Sequence, residues 1–479
     1  MKLNNSLIEQ DELALFLDYY ELTGGKADFD HKNRDIITET FFFRKVPKHL
    51  GSYMIAAGLE QVISFIMNYR LSKKDGGWLK KTSGKDFNKD FLAYLENFKF
   101  KGDVYAIPEG TPVFPNEPIL SITGPSIDVQ LFETYILNVM NFQTLVATKA
   151  SRVVNAAKGR TVLEFGARRA QGRDAAVLGA RAAYIGGSVG SALVLAGKKF
   201  GIPYVGTMPH KFVQERDSEI SAFREYAESF PHNAVLLIDT YDTLQGARNA
   251  CTIGKELKAK GYDLKGVRLD SGDLFMLSKK VREILDFEGF KDTKIMVSSD
   301  LDEYKVNELV EKGSPIDGFG VGTRLITGAN YNSLTKEGEV SALGGVYKLV
   351  EIKKEGKVIP KIKISEDIEK TTLPGKKQVY RIAESGTYSH DEISLWEELP
   401  PQGAKPLLVP VISNGKIVYD FPKLDEIKRR CGAELALIPD MYKKISGAET
   451  YPVKLSDRLS KLKQDLIEEA KSIERTIQK

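Results

Sequence analysis

A repeated alternation of short apolar segments and amphipathic helices is the feature of this chain that most restricts its fold. Apolar or β-branched segments recur between residues 161 and 323, and each ends in Gly, Asp, Ser or Thr. They span residues 161–166, 203–207, 234–240, 265–270, 294–300 and 316–323. The segments between them have helical spacing, as where Val281 and Leu285 share one face. This alternation predicts parallel strands whose polar ends meet at one rim.

The predicted fold class is α/β, an irregular parallel α/β barrel similar to a TIM barrel, with a second, discontinuous α+β domain. An open Rossmann-like sheet is the alternative, and it is less favoured because no strand carries a clear dinucleotide fingerprint. Residues 1–130, completed by 340–425, are predicted to form the second domain, because both stretches are β-rich. Residues 131–339 form the predicted barrel. Residues 426–479 form a predicted C-terminal helical segment with a stripe at Leu455, Leu459, Leu462 and Leu466.

Composition excludes several classes of protein. The net charge is +4 over 479 residues without dense Lys/Arg blocks, which argues against a nucleic-acid partner and is compatible with small anionic ligands. No stretch approaches the roughly 18 apolar residues that span a bilayer, and the amino terminus lacks a signal-peptide pattern. Cys251 and Cys431 lie far apart, which argues against a disulfide framework or a zinc site. We therefore expect a cytoplasmic protein with no membrane partner.

His210 is the first candidate for chemistry. It follows the segment Val205-Gly-Thr207-Met-Pro, and it is one of only five histidines. We expect it at the carboxyl end of a strand, where ligands collect in α/β proteins. The alternative is a loop histidine that caps or packs locally.

Three further strand ends carry groups that suit a phosphorylated ligand. Gly318, Gly320 and Gly322 precede Thr323, so backbone N–H groups can converge on a phosphate; plain turns are the alternative. Arg268 and Asp270 share one face of a strand, with Asp273 in the turn beyond, which suits a carboxylate and a ribose or Mg²⁺. An ion pair followed by an Asp-Ser-Gly helix cap explains these three residues equally well.

The third strand end combines an aromatic ring with two cations. Phe165 is followed by Arg168 and Arg169 at the predicted start of a helix. Cations are disfavoured at a helix amino terminus unless an anion is present, which suits a pyrophosphate. A solvated arginine pair is the alternative.

Nine motifs in order along almost the whole chain resemble the nicotinate phosphoribosyltransferase family. They are DYYELT from Asp18, FFRK from Phe42, YMIAAGLE from Tyr53, FGARRAQG from Phe165, GTMPH from Gly206, RLDSGD from Arg268, GVGT from Gly320, GGVYKL from Gly344 and TLPG from Thr372. The resemblance implies transfer of phosphoribosyl from phosphoribosyl pyrophosphate to nicotinate, giving nicotinate mononucleotide and pyrophosphate in NAD biosynthesis. It also implies coupling to ATP hydrolysis through a phosphohistidine, Mg²⁺, and a homodimer with shared sites.

The same resemblance implies a role for each candidate residue. His210 matches the phosphorylated histidine, and a neutral imidazole is a competent nucleophile. Thr207, Arg268 and Tyr20 match nicotinate contacts, with Phe165 and Tyr20 as aromatic walls and Tyr20 supplied by the other subunit. The residues that match phosphoribosyl pyrophosphate contacts are Arg168, Asp270, Ser299, Asp300, Gly320, Gly322 and Thr323. Asp270 and Asp273 are expected to anchor the ribose or the metal. His210, Arg268 and Asp270 are the expected catalytic residues.

Two other functions remain as alternatives. A nicotinamide phosphoribosyltransferase of the same superfamily carries an Asp 26 residues after the ring-stacking Phe, whereas the count from Phe165 reaches Ser191, which favours nicotinate. A barrel aldolase or isomerase of a sugar phosphate needs a Schiff-base lysine or a paired base, and no predicted strand end provides either one. The chain also departs from the family pattern at Gly24-Gly25-Lys26, just after Tyr20.

Overall fold

The repeating segments form one six-stranded parallel sheet in the computed structural model, which describes residues 8–83, 86–329, 342–364 and 371–477. The spatial order is Gly190–Ser191, Thr161–Glu164, Gly318–Val321, Lys294–Ser298, Gly266–Leu269 and Val235–Leu237. The helices that accompany this sheet are Arg173–Ile185, Val194–Phe200, His210–Gln214, Glu219–Ser229, Thr243–Ala259, Leu274–Phe287, Glu303–Glu311 and Thr323–Thr327. The prediction of an α/β fold with a parallel sheet is confirmed.

The sheet is open, so the predicted barrel is not confirmed. In the described residues no ladder joins the edge strand Gly190–Ser191 to the other edge strand, Val235–Leu237. The expected strand at 203–207 contributes only an isolated bridge, between Tyr204 and Ser191. Proline cannot donate a ladder hydrogen bond and glycine weakens a strand, which explains why residues 203–207, containing Pro203 and Gly206, stay irregular. The expectation that His210 follows a strand is therefore wrong: it is the first residue of the helix His210–Gln214.

The helix Leu274–Phe287 illustrates how the sequence produces the layers around the sheet. The Asp273 side chain caps its amino terminus by accepting hydrogen bonds from the backbone N–H groups of Phe275 and Met276. Val281 and Leu285 are fully buried on the predicted face. Burial of each such side chain stabilises the fold by about 1.5–3 kcal/mol.

A seven-stranded antiparallel sheet combines segments that precede and follow the parallel sheet in sequence. Its order is Lys357–Pro360, Gly345–Lys354, Ile36–Phe43, Leu120–Pro125, Asp103–Ala106, Val409–Ser413 and Lys416–Ile417. The strand Ile36–Phe43 pairs with Leu120–Pro125 on one side and with Gly345–Lys354 on the other. The division into domains stays a prediction, and its boundary at 339/340 lies outside the described residues.

The remaining elements surround these two sheets. One four-stranded sheet contains Lys405–Pro406, Lys377–Glu384, Thr387–Leu395 and Val453–Leu455, and a two-stranded sheet pairs Met54–Ile55 with Pro112–Val113. The other α-helices are Tyr19–Asp30, Leu59–Asn68, Lys73–Thr82, Lys89–Glu96, Ser126–Val129, Glu133–Ala156, Leu424–Leu437, Asp440–Lys443 and Asp457–Ile477. Short 3₁₀ helices span Gln10–Leu15, Lys48–Leu50, Gln130–Phe132, Ala167–Arg169 and Pro231–Asn233.

Two local expectations can be compared with these elements. Leu455 lies in the strand Val453–Leu455, which pairs in parallel with Thr387–Leu395, so the predicted leucine stripe begins only at Leu459 and residues 426–479 are not wholly helical. The helix Tyr19–Asp30 continues through Gly24, where a Cβ would lie 2.5 Å from the Gln130 side-chain oxygen.

The 24-residue helix Glu133–Ala156 contacts strands of both large sheets and is tied to the parallel-sheet region by buried charges. Lys149 and Arg152 form ion pairs with Glu303 at 2.6 Å and 3.2 Å. Within the described residues, no helix combines the length and the apolar composition that crossing a bilayer requires.

Candidate active site

A cavity of about 340 Å³ lies at the carboxyl ends of the parallel strands. It brings together nine of the residues that the sequence analysis selected as substrate contacts: Phe165, Arg168, Arg268, Asp270, Ser299, Asp300, Gly320, Gly322 and Thr323. Arg169 and Ser298 complete the lining. Residues that are far apart in sequence therefore meet in one space, because four neighbouring strands end there.

Arg268 is held by three hydrogen bonds at the inner end of the cavity. It donates to Thr207 Oγ1 at 2.9 Å, to Asp270 Oδ2 at 2.7 Å and to Ser298 Oγ at 2.8 Å. Ser298 Oγ in turn donates to Asp270 Oδ1 at 2.7 Å. A guanidinium carries five N–H groups, so two remain for a ligand. The guanidinium is therefore held in a fixed position with two N–H donors still available. A planar carboxylate can bind to such a group through its two oxygens.

The Phe165 ring forms an apolar wall beside this cation. The Arg268 guanidinium carbon lies 5.8 Å from the ring centroid. The ring lies against Gly320, where a Cβ would come within 2.5 Å of it. Gly320 is therefore required for the close approach of the strand to the ring, which is a different reason from the phosphate contact that the sequence suggested.

The outer part of the cavity carries backbone N–H groups and unpaired cations. Gly322 and Thr323 stand where the strand Gly318–Val321 meets a short helix. Arg168 and Arg169 are exposed and form no ion pair within the described residues. Ser299 has φ of +132°, a backbone conformation that L-residues rarely adopt. The Asp300 carboxylate accepts a hydrogen bond from Arg324 at 3.3 Å. This end can bind an anion larger than a carboxylate.

His210 stands beside the cavity, outside its lining. Its Nε2 lies 3.9 Å from Asp270 Oδ2, and its side chain is 40% exposed. Its Nδ1 lies 3.2 Å from Thr240 Oγ1. With the proton on Nδ1, the ring donates to Thr240 and presents the Nε2 lone pair, which is the arrangement a nucleophilic imidazole needs.

Asp239 is a site residue that the sequence analysis did not select. Its Oδ2 accepts hydrogen bonds from the Asp270 backbone N–H at 2.9 Å and the Ser271 hydroxyl at 2.6 Å. Its Oδ1 is buried with no hydrogen-bond partner in the described residues. The sequence does place Asp239 and Thr240 at the end of the predicted strand 234–240. Nothing in the sequence, however, distinguishes them from other polar residues at strand ends.

Two predicted site residues lie away from the cavity. Asp273 caps its helix through Oδ1, so the alternative of an Arg268–Asp270 ion pair and a helix cap describes this turn, with Asp273, the residue after Asp-Ser-Gly, as the cap. Tyr20 is 54% exposed near the start of the helix Tyr19–Asp30 and does not line the cavity. Partial desolvation of the phenol and the nearby Glu133 carboxylate, which accepts a hydrogen bond from it, raise the Tyr20 pKa.

Comparison with known proteins identifies the family. The nicotinate phosphoribosyltransferase N-terminal domain model matches residues 15–141, the family model residues 161–391 and the C-terminal domain model residues 398–463. The chain belongs to the nicotinate phosphoribosyltransferase family. The resemblance stated from the sequence motifs is thereby confirmed.

Full-length relatives agree with this assignment. The chain is similar to nicotinate phosphoribosyltransferase pncB2 of Mycobacterium tuberculosis, with 40% identity over 94% of this chain and 93% of the relative. It is also similar to nicotinate phosphoribosyltransferase of Bacillus subtilis, with 39% identity over 97% of each chain. Among solved structures, human nicotinic acid phosphoribosyltransferase superposes with a TM-score of 0.81 at 27% identity, covering 94% of this chain and 99% of that chain.

Proposed function

We propose that this member of the nicotinate phosphoribosyltransferase family joins nicotinate to phosphoribosyl pyrophosphate, giving nicotinate mononucleotide and pyrophosphate. The observation that carries the proposal is the juxtaposition, in one cavity, of a fixed guanidinium beside an aromatic ring and a glycine-lined, arginine-flanked end. The first part suits a flat aromatic acid and the second a phosphorylated sugar.

Nicotinate binds through its carboxylate and its ring. The two free N–H groups of Arg268 donate to the carboxylate, while Thr207 and Ser298 hold the guanidinium in place. The Phe165 face supports the pyridine ring. The count from Phe165 reaches Ser191, an uncharged residue, which favours nicotinate over nicotinamide.

The transfer itself needs no protein base. The pyridine nitrogen uses its own lone pair to form the bond to the anomeric carbon, and pyrophosphate leaves with the electrons of the broken C–O bond. Arg168 and Arg169 stabilise the negative charge that grows on the leaving group. The Gly320–Thr323 segment binds the 5′-phosphate through its N–H groups, and Asp270 anchors the ribose.

ATP coupling is proposed to proceed through His210. The Nε2 lone pair attacks the γ-phosphorus of ATP, forming a P–N bond while ADP departs, and hydrolysis later returns the free imidazole. The Thr240 contact supports this role because it fixes the ring. The phosphorylated ring would stand beside Asp270, close enough to affect the pyrophosphate end.

The acidic groups of the site fit Mg²⁺ held mainly by substrate phosphates. No cluster of three potential metal ligands occurs in the part of the chain that the structure describes, and Mg²⁺ commonly takes only one or two carboxylates. Asp270 and the buried, unpartnered Oδ1 of Asp239 would hold it. Asp273 is the weaker candidate because its carboxylate caps a helix. When bound, Mg²⁺ would neutralise charge on the pyrophosphate.

We further propose that the protein is a homodimer whose active sites contain residues from both subunits. We also propose that it is located in the cytoplasm. Tyr20 is exposed and lies outside its own chain's cavity, which supports its delivery to a second copy as an aromatic wall opposite Phe165. Cys251 and Cys431 are free and buried, which supports a reducing compartment.

A substrate panel tests the proposed function. Purified protein is incubated with phosphoribosyl pyrophosphate and nicotinate, nicotinamide or quinolinate, each with and without Mg-ATP, and mononucleotide and ADP are quantified. We expect nicotinate mononucleotide, stimulated by ATP. Preference for nicotinamide would support the related amide-specific enzyme, and no mononucleotide from any base would refute the proposal.

A further inference from the structure

Glu164 is a buried carboxylate directly behind the aromatic wall of the cavity. It is the last residue of the strand Thr161–Glu164 and is 0% exposed. The neighbouring strands place it opposite Ser191 on one side and Val321 on the other. Burial raises its pKa, and no cation in the described residues forms an ion pair with it. A carboxylate in such a place is costly unless its oxygens accept hydrogen bonds.

Both oxygens of Glu164 do accept hydrogen bonds. Oε1 accepts the backbone N–H of Gly166, and Oε2 accepts the Ser191 hydroxyl at 2.5 Å. Ser191 Oγ accepts the Leu193 N–H at 3.0 Å, and Ser191 is itself almost fully buried. The Ser191 hydroxyl is thus oriented away from ligands by Glu164. The carboxylate links the ends of two parallel strands.

These contacts fix the turn that carries the Phe165 ring. The Phe165 N–H donates to the Val321 carbonyl at 2.8 Å, and the next N–H along the chain donates to Glu164. A Cβ on Gly166 would come within 2.6 Å of Ile326, so the turn packs closely on its other side as well. The position of the ring against Arg268 therefore depends on the hydrogen bond to the Glu164 carboxylate.

We infer that Glu164 is a positioning residue for the aromatic substrate: through the Gly166 N–H and Ser191 it sets the place of the Phe165 ring without touching the ligand. The inference rests on the proposed function, since it concerns the affinity for nicotinate. It predicts an effect on nicotinate binding that exceeds any effect on phosphoribosyl pyrophosphate.

The test compares Glu164→Gln and Glu164→Met with wild type. Glutamine keeps the shape, and its amide oxygen accepts from the Gly166 N–H. Its NH2 group donates to Ser191 Oγ instead of accepting from it, so the charge and the acceptor of the Ser191 hydroxyl are lost while the bond to Gly166 remains. We expect the nicotinate KM to rise about five-fold in Glu164→Gln and more than 20-fold in Glu164→Met, with kcat and the phosphoribosyl pyrophosphate KM within about two-fold.

Glu117→Gln is the matched control. Glu117 is also fully buried and accepts a backbone N–H, that of Phe114 at 2.9 Å, but it lies outside the cavity lining. We expect it to leave the nicotinate KM unchanged. Melting temperatures of all variants separate loss of folding from loss of affinity.

The KM values of the variants distinguish a positioning role of Glu164 from a merely structural one. An unchanged nicotinate KM in Glu164→Gln overturns the positioning role even if Glu164→Met does not fold. Equal changes in the KM of both substrates also overturn it and indicate a merely structural role. Wild-type protein that neither transfers phosphoribosyl to nicotinate nor binds nicotinate by calorimetry refutes the proposed function, and the inference falls with it.

Discussion

Replacement of Arg268 by methionine gives the clearest quantitative prediction. The side chain is 14% exposed and makes three hydrogen bonds, one of them to the Asp270 carboxylate. Removing one partner from a largely buried charge pair costs about 2–5 kcal/mol of binding. Taking about 3 kcal/mol for the nicotinate carboxylate, the nicotinate KM should rise roughly 100-fold at 1.4 kcal/mol per ten-fold.

The assay is initial-rate formation of nicotinate mononucleotide over a range of nicotinate concentrations, together with thermal unfolding. Arg268→Lys should fall between wild type and Arg268→Met, because it keeps the charge and loses the planar fork. The matched control is Arg282→Met. Arg282 also has three partners, Asp286 and the carbonyl groups of Thr293 and Phe290, but lies outside the cavity lining.

We expect Arg282→Met to lower the melting temperature and leave the nicotinate KM unchanged. The free energy of unfolding of Arg268→Met should be about 1–3 kcal/mol lower than that of wild type, since Asp270 loses its main partner. A folded Arg268→Met enzyme with a nicotinate KM within three-fold of wild type would refute the reasoning and mean that another cation holds the acid.

Four further outcomes are expected. His210→Ala should abolish ATP hydrolysis and ATP stimulation while some ATP-independent transfer remains, and undiminished ATP use would count against a phosphohistidine. Mixing Tyr20→Ala and His210→Ala subunits should restore activity if sites are shared, whereas separate sites give no complementation. Asp273→Ala should destabilise the fold by about 0.5–2 kcal/mol through the lost cap and leave the Mg²⁺ requirement unchanged, and a shifted requirement would make it a metal ligand. Burial raises the pKa of Glu39 from 4.5 to about 8, so its contribution to stability is complete below pH 4.5 and is lost as pH rises through 8. In Glu39→Gln the free energy of unfolding should therefore depend less on pH between these two values. An unaltered pH profile of the unfolding free energy would contradict this.

The parallel sheet and most of the cavity could be predicted from the sequence because both follow from local patterns. Apolar runs that end in polar residues specify buried parallel strands, and their carboxyl ends meet at one rim, as Phe165, Arg268 and Thr323 do. The family motifs then added a role for each residue. These patterns are local in sequence, and the folded structure retains the strands and strand ends that they predict.

What the sequence did not predict depends on contacts between residues that are far apart in the chain. Residues 203–207 are apolar enough for a strand, but the backbone there forms only the Tyr204 bridge, and the sheet stays open. Asp273 has the same side chain as Asp270, and only the direction of the following helix makes it a cap. The roles assigned to Asp239 and Glu164 depend on their hydrogen bonds with Ser271 and Ser191, which are distant from them in sequence.

A crystal structure with nicotinate mononucleotide and pyrophosphate would show both ends of the proposed site at once. We expect the nicotinate carboxylate on Arg268, the ring on Phe165, and the 5′-phosphate at Gly320, Gly322 and Thr323. Product bound at another surface, or a carboxylate that does not contact Arg268, would contradict it.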